Sequence, residues 1–341
     1  MLAIIPKKII AVEHNWQKEL AMAFSDPVEL LNYLQLPLAE FDEDIKARAL
    51  FPLRIPRPFA ARMAKNDRHD PLFKQVFTSQ LEFNNNDNYS TDPLGEHQNS
   101  QPGILHKYQS RLLMLIRGGC AVNCRYCFRR HFPYADNHLN RAEWVTALDY
   151  IRADTQLNEV IYSGGDPLMA KDDFLAWLTQ EIATIPHITR LRIHTRLPVV
   201  IPSRITNELI SWLTNTRLKP VMVLHINHAN EIDESVKRAM AKLKQAGVTL
   251  LNQTVLLKGI NDEVEQQVAL SEALFEGGIL PYYLHLLDKV QGASHFDTDE
   301  QEARLLMAGL IKRLPGYLVP KLVREIAGQP GKTPLDLLLQ P

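Results

Sequence analysis

A chain of 341 residues, 45% hydrophobic and 23% charged with a formal net charge of -1, can bury a large core and carries no basic field of the kind nucleic acid or an anionic membrane would attract. No apolar run approaches the roughly 20 residues that span a bilayer, and the opening stretch, interrupted by Lys7 and Lys8, has no small-residue cleavage site after it. A cytoplasmic protein without nucleic-acid or membrane partners is expected, with homo-oligomerisation left open.

In chain order, residues 1 to about 80 read as helical and proline-punctuated. The segment from Pro27 has apolar residues at helical spacing after Ser25 or Asp26 as a cap. Residues 84–103 are rich in Asn, Asp, Ser, Pro and Gly and read as a long irregular connection. Beyond it, β-type runs near 112–116, 159–163, 191–195, 221–226, 249–255 and 279–286 alternate with amphipathic helices near 141–152, 172–185, 206–214, 233–246, 263–275 and 299–313. Asp233 can cap the fourth of these helices and Gly247 can close it. Alternating strand and helix implies a parallel sheet covered by helices. Six such units are too few for an eight-stranded barrel, so the pattern allows either a partial barrel or a doubly wound sheet, with the site at the carboxyl ends of the strands in both. The division expected is an accessory region at 1–105, the α/β body at 106–315 and a C-terminal segment at 316–341.

Three cysteines, Cys120, Cys124 and Cys127, all fall within eight residues just after the first of these strands. That excludes a dispersed disulfide framework and points to metal chemistry. A cubane iron–sulfur cluster normally takes four thiolates, so a three-cysteine site exposes one iron to an outside ligand. The alternative is a zinc site of Cys₃His type, completed by His131 or another histidine.

The C-x₃-C-x₂-C spacing with Tyr126 before the last cysteine resembles the signature of the radical S-adenosylmethionine superfamily. Ser163-Gly164-Gly165-Asp166-Pro167, at the end of the second strand, is similar to that superfamily's Gly-Gly-Glu-Pro element. Longer segments resemble the lysine 2,3-aminomutases: the run from Thr195 to Thr206, His225 to Glu231, Asn252 to Asp262, Pro281-Tyr-Tyr-Leu, and Gly331-Lys332-Thr-Pro. The resemblance implies a partial (βα)6 barrel with an N-terminal helical extension, and conversion of L-lysine to β-lysine with a 4Fe–4S cluster, S-adenosylmethionine and pyridoxal phosphate; the alternatives are another radical enzyme of the superfamily, such as a glutamate 2,3-aminomutase, or a non-enzymatic iron–sulfur protein.

By position in those motifs, the cluster would sit on Cys120, Cys124 and Cys127, and S-adenosylmethionine would meet Ser163, Gly164, Gly165, Asp166, His225 and Gln253. Lys332 would form the internal aldimine with pyridoxal phosphate, and Arg111 is a candidate for its phosphate. Arg129 would hold the substrate carboxylate, with Arg130 as a substitute, while Asp288 and Glu325 would hold the distant amine. A phosphate-binding loop at Gly331-Lys332-Thr333 is excluded because Ile326 occupies the position where that motif requires glycine. Longer clostridial-type relatives carry cysteines in a C-terminal segment that binds zinc, and they have aspartate where Glu325 stands here. No spare cysteine is present, so no zinc is expected, and the chain looks like the shorter bacterial branch. That branch implies a one-electron donor such as a flavodoxin or ferredoxin, and a ligase that attaches β-lysine to elongation factor P.

Overall fold

The computed structural model describes residues 15–84, 86–97 and 101–338; the opening run with Lys7 and Lys8 lies outside the described residues. Nine strands form one sheet: β1 (Ile104–Tyr108), β2 (Arg111–Arg117), β3 (Glu159–Gly164), β4 (Arg190–Thr195), β5 (Lys219–His225), β6 (Thr249–Val255), β7 (Leu280–His285), β8 (Lys321–Arg324) and β9 (Thr333–Pro334). Their order in the sheet is their order in the chain. From β2 to β8 every neighbour is parallel, while β1 and β9 pair antiparallel at the two edges. A doubly wound sheet reverses its strand order at a switch point. Here the order never reverses, so the strands form a partial barrel, and among the described residues β1 and β9 do not pair to close it.

The strand sequences show why the barrel has a polar lumen. In β4, Leu191 and Ile193 are buried in the core under the helices, while Arg192 and His194 face the interior cavity. In β6, Leu250, Asn252 and Thr254 are buried, and Leu251, Gln253 and Val255 face inward. Period-two alternation thus puts polar groups into the lumen from successive strands. The covering helices start where capping chemistry starts them. Asn140 and Glu143 form a reciprocal capping box before Arg141–Ala153, and Asp233 caps Glu234–Gln245. Gly247 closes the latter at φ +84°. Farther up the chain, Asp26 rather than Ser25 caps Pro27–Leu34, its carboxylate accepting from the Val28 N–H.

Six strands were expected, and β1, β8 and β9 add to them. β1 and β8 are short and half polar, and β9 is two residues inside a Gly/Pro-rich stretch, so none carries a periodic signal. The sheet therefore crosses both expected boundaries. Apolar side chains of the N-terminal region, among them Phe24, Leu30, Phe59 and Phe73, share one core with Leu112, Val160, Ile193 and Leu224 of the barrel. Leu318 and Leu322 of the C-terminal segment pack with Leu284, Leu306 and Leu310 in a smaller cluster.

Candidate active site

The residues singled out from the sequence as cluster, cofactor and substrate ligands, Arg130 apart, line one cavity of about 610 Å³ at the carboxyl ends of the strands. A larger open groove of about 2050 Å³ on the outer face, along helices Asp172–Ala183 and Asn207–Thr214, holds none of them.

At one end stand the cysteines. They lie in a turn between β2 and the helix Arg141–Ala153. Burial and the neighbouring thiols push Cys127 up to about 11 and Cys120 well above the ordinary thiol range, so a bound cation is needed to hold them as thiolates. The turn is stapled to the end of β3. The Gly165 N–H donates to the Arg117 carbonyl at 2.6 Å and the Asp166 N–H to the Gly119 carbonyl at 3.0 Å. This contact requires the two glycines. A Cβ on Gly164 would lie 2.4 Å from the Arg117 oxygen, and one on Gly165 would lie 2.7 Å from the Gly119 oxygen. Asp166 is likewise spent on the scaffold. Its carboxylate accepts from Thr195 Oγ1 and from the backbone N–H groups of Leu168, Arg196 and Leu197, which fills its lone pairs and ties β3 to β4. Its side chain has no capacity left for a ligand, and the contact with S-adenosylmethionine that the resemblance implies for this segment is a backbone one.

On the next strands, His225 and Gln253 sit opposite each other in the β5–β6 register, with His225 Nε2 and Gln253 Nε2 2.9 Å apart. Burial, with Arg196 and Lys332 nearby, holds His225 down at about 3, so it is a neutral imidazole that accepts from the Gln253 amide. Gln253 Oε1 is buried and has no partner among the described residues.

At the far end, Lys332 Nζ donates to Glu325 at 2.7 Å. Burial alone would raise Glu325, but the Lys332 ammonium holds it down at about 2. Asp288 faces the same space, and among the described residues no side-chain or backbone donor reaches its carboxylate. Burial, with Glu325 beside it, pushes Asp288 up to about 7.

The radical SAM superfamily profile matches residues 114–269. "L-lysine 2,3-aminomutase" of Haemophilus influenzae is 57% identical over 97% of this chain and 99% of its own length. The protein of the same name from Escherichia coli is 55% identical over 96% of each chain, and that of Buchnera aphidicola is 48% identical over 95% of this chain and 96% of its own. The chain belongs to the L-lysine 2,3-aminomutase family. Membership carries the family's cofactors, a 4Fe–4S cluster, S-adenosylmethionine and pyridoxal phosphate.

The residues fit these groups. Three thiols around one cavity wall suit a polynuclear centre, and His131, which a zinc site would recruit, lies outside the cavity near the Gln291 carbonyl. Arg192, whose Nη2 pairs with Glu159 at 2.7 Å and whose buried Nε has no partner among the described residues, shares the cavity with Arg111, which stacks over the Tyr108 ring at 4.0 Å. Two guanidinium groups in one wall suit a phosphate.

Arg129 is mostly engaged within the protein. Burial disfavours its charge, but Glu96 outweighs that and raises it. Glu96 takes its Nε and Nη2 at 2.6 and 3.1 Å, and its Nη1 donates to Ser163 Oγ and to the Gly164 carbonyl. Of its five N–H bonds, one is left for a ligand. The substitute role for Arg130 is corrected: its guanidinium is turned away, onto Glu82 at 2.7 Å and the Arg125 carbonyl.

Three functional neighbours were not singled out from the sequence. Glu96 lies in the stretch read as an irregular connection, yet it is buried and also pairs with Lys107 at 2.7 Å. Lys107 in turn lies 3.6 Å from Glu325. Arg196 donates to the Cys124 sulfur at 2.7 Å. The run from Thr195 was noted only for its resemblance, and strand-end arginines are a signal that could have been followed.

Proposed function

We propose that this chain isomerises L-lysine to β-lysine. The observation that carries the reading is the one cavity in which three thiols, a lysine and two acidic groups, Asp288 and Glu325, stand together. When bound, the cluster with S-adenosylmethionine supplies a carbon-centred radical that takes a hydrogen atom from the substrate, and pyridoxal phosphate supplies the carbonyl carbon that carries the migrating nitrogen. Cys120, Cys124 and Cys127 would hold the cluster; Lys332 would hold pyridoxal phosphate, with Arg111 and Arg192 at its phosphate.

The remaining groups bind and orient. Arg129, anchored by Glu96, offers its last N–H to the α-carboxylate, and Ser163 is near enough to share it. Asp288, with its carboxylate free, receives the ε-ammonium, and Glu325 adds a second negative charge. Without such partners an ammonium in this enclosed space would carry a penalty of several kcal/mol. A glutamate side chain would instead meet like charge. His225 and Gln253 present a neutral polar edge to S-adenosylmethionine. Lumen-facing residues of β4 to β7 wall the cavity and fix the reacting atoms, for which a displacement of about 1 Å costs on the order of a hundredfold.

The likeness to the short bacterial relatives supports a finer reading: a flavodoxin or ferredoxin as electron donor, β-lysine passed to a ligase acting on elongation factor P, and a cytoplasmic place of work. No helix among the described residues is long and apolar enough to cross a membrane. The test is turnover: anaerobically reconstituted protein with dithionite, S-adenosylmethionine and pyridoxal phosphate should form β-lysine from L-lysine and leave glutamate untouched. Replacing any of the three cysteines by alanine should give folded protein without iron. Lys332→Ala should lose the visible absorbance of bound pyridoxal phosphate at unchanged iron content. Stoichiometric zinc without iron, or glutamate consumed as readily as lysine, overturns the proposal.

A further inference from the structure

We infer that Arg196, through its hydrogen bond to the Cys124 sulfur, sets the reduction potential of the cluster, with Glu231 as the counter-charge that limits the effect. The inference rests on the reading that the three cysteines hold an iron–sulfur cluster.

Arg196 is nearly fully enclosed and immediately follows β4. Its Nη1 donates to Cys124 Sγ at 2.7 Å and to the Tyr126 hydroxyl at 2.6 Å. Its Nη2 donates to Gln75 Oε1 at 2.7 Å and to Glu231 Oε2 at 2.9 Å. The guanidinium is thus a rigid bridge with a sulfur on one side and a buried carboxylate on the other. Phe59 and Tyr126 rings lie 5.4 and 5.8 Å from its centre, so little water screens the charge. Among the described residues Cys124 is the only one of the three cysteines whose sulfur receives a side-chain cation: the Arg54 contact at Cys120 goes to the backbone carbonyl.

Hydrogen bonds to cluster sulfurs and local charge are the protein's main controls on potential. A donor on a ligating thiolate withdraws electron density from iron. A fixed positive charge also favours the reduced cluster, which carries one more negative charge than the oxidised one. Both effects of Arg196 make reduction easier. Glu231 opposes them, and it is held firmly enough to do so: its carboxylate also accepts from Gln75 Nε2 and from the backbone N–H groups of Asn227 and His228. All of these donors survive with a glutamine at that position.

The opposed signs give a test that a purely structural role does not pass. The electron comes from an external one-electron reductant, titanium(III) citrate in the titration, and is taken up by the cluster. With the reconstituted protein, the potential is read by electron paramagnetic resonance, and iron content and melting temperature are recorded alongside. Arg196→Ala alone would strand a buried Glu231 and threaten the fold, so the partners are removed together. Arg196→Met combined with Glu231→Gln should keep its iron and make reduction at least tenfold less favourable, a fall of about 59 mV for one electron. Glu231→Gln alone should make reduction more favourable, and Arg196→Lys should fall between the double variant and the parent protein. If the iron-loaded double variant and Glu231→Gln do not move in potential, or move in the same direction as each other, the inference is overturned while the cluster assignment stands. An unaltered protein that cannot be loaded with iron overturns both.

Discussion

Two pairs of acids line or support the same cavity, one pair buried and the other half-buried, and their surroundings differ. Near the cysteines, Asp166 and Glu231 accept from backbone N–H groups, from Thr195, and from Gln75 and Arg196. Near Lys332, Asp288 accepts from nothing among the described residues, and Glu325 leans on Lys332, with the Tyr108 hydroxyl at 3.3 Å and Lys107 beyond it. Acids that hold a fold together spend their lone pairs within it. Acids that take a ligand keep theirs, and the cost is a carboxyl whose ionisation is disfavoured, as at Asp288. The first pair makes the cysteine end rigid where a radical must be generated in place, and the second leaves the substrate end electrostatically unfinished until a cation arrives.

The comparison breaks most visibly at Asp166. Asp166→Ala strands four buried donors: the N–H groups of Leu168, Arg196 and Leu197 and the Thr195 hydroxyl. Each unsatisfied group costs about 1–3 kcal/mol, so a loss of at least about 4 kcal/mol is expected, against a total of about 5–15 kcal/mol for an ordinary protein. Chemical denaturation or the yield of soluble protein reads this directly. Normal stability in that variant would mean the strand ends are held by something else.

Asp288→Ala should do the reverse, keeping the fold and losing the substrate. Truncating one partner of a buried charge pair costs about 2–5 kcal/mol, which is roughly thirtyfold or more in kcat/KM for lysine. The melting temperature should not fall. Unchanged lysine kinetics in both Asp288→Ala and Glu325→Ala would remove these residues from the amine site and lysine from its place as preferred substrate.

How far the sequence showed this difference depends on distance along the chain. The cysteine loop was legible because its chemistry is local, three thiols and an aromatic residue inside one turn. The six central strands and their helices were legible through period and capping. Glu96 was not, because its partner Arg129 is 33 residues away and its own segment looks like a loop. Arg196 was noted only as part of a family run, because its partners Cys124 and Gln75 lie 72 and 121 residues before it. Asp166 and Asp288 could not be told apart in role, since each is an aspartate just after a strand. The barrel decides between them by putting one against the next strand and the other against open space. β8 and β9 escaped notice because strands of four and two residues have no room for a period.

The smallest expected effect is also the sharpest, because the two substrate-end acids should respond to pH with opposite signs. Asp288 titrates at about 7 in the folded chain against an ordinary value of 3.8. The native state therefore binds a proton that the unfolded state releases between those values, and stability falls as pH rises through that window. Glu325, held at about 2 against an ordinary 4.5, contributes stability above pH 4.5 that is lost as pH falls towards 2. Measured on the chain without pyridoxal phosphate, Asp288→Asn should be more stable than the parent at pH 8, by about 1–3 kcal/mol for the relief of an uncompensated buried charge, and the gap should close near pH 4. Glu325→Gln should be less stable than the parent at pH 6 and converge with it near pH 2. Lysine affinity should follow Asp288 alone, weakening as pH falls below 7 in the parent and losing that dependence in Asp288→Asn. Thermal melts of the three proteins across pH 2–8, with lysine titrations above pH 5, test both signs together. If the Asp288→Asn curve runs parallel to the parent at every pH, Asp288 is an ordinary solvated acid and the contrast between the two pairs disappears.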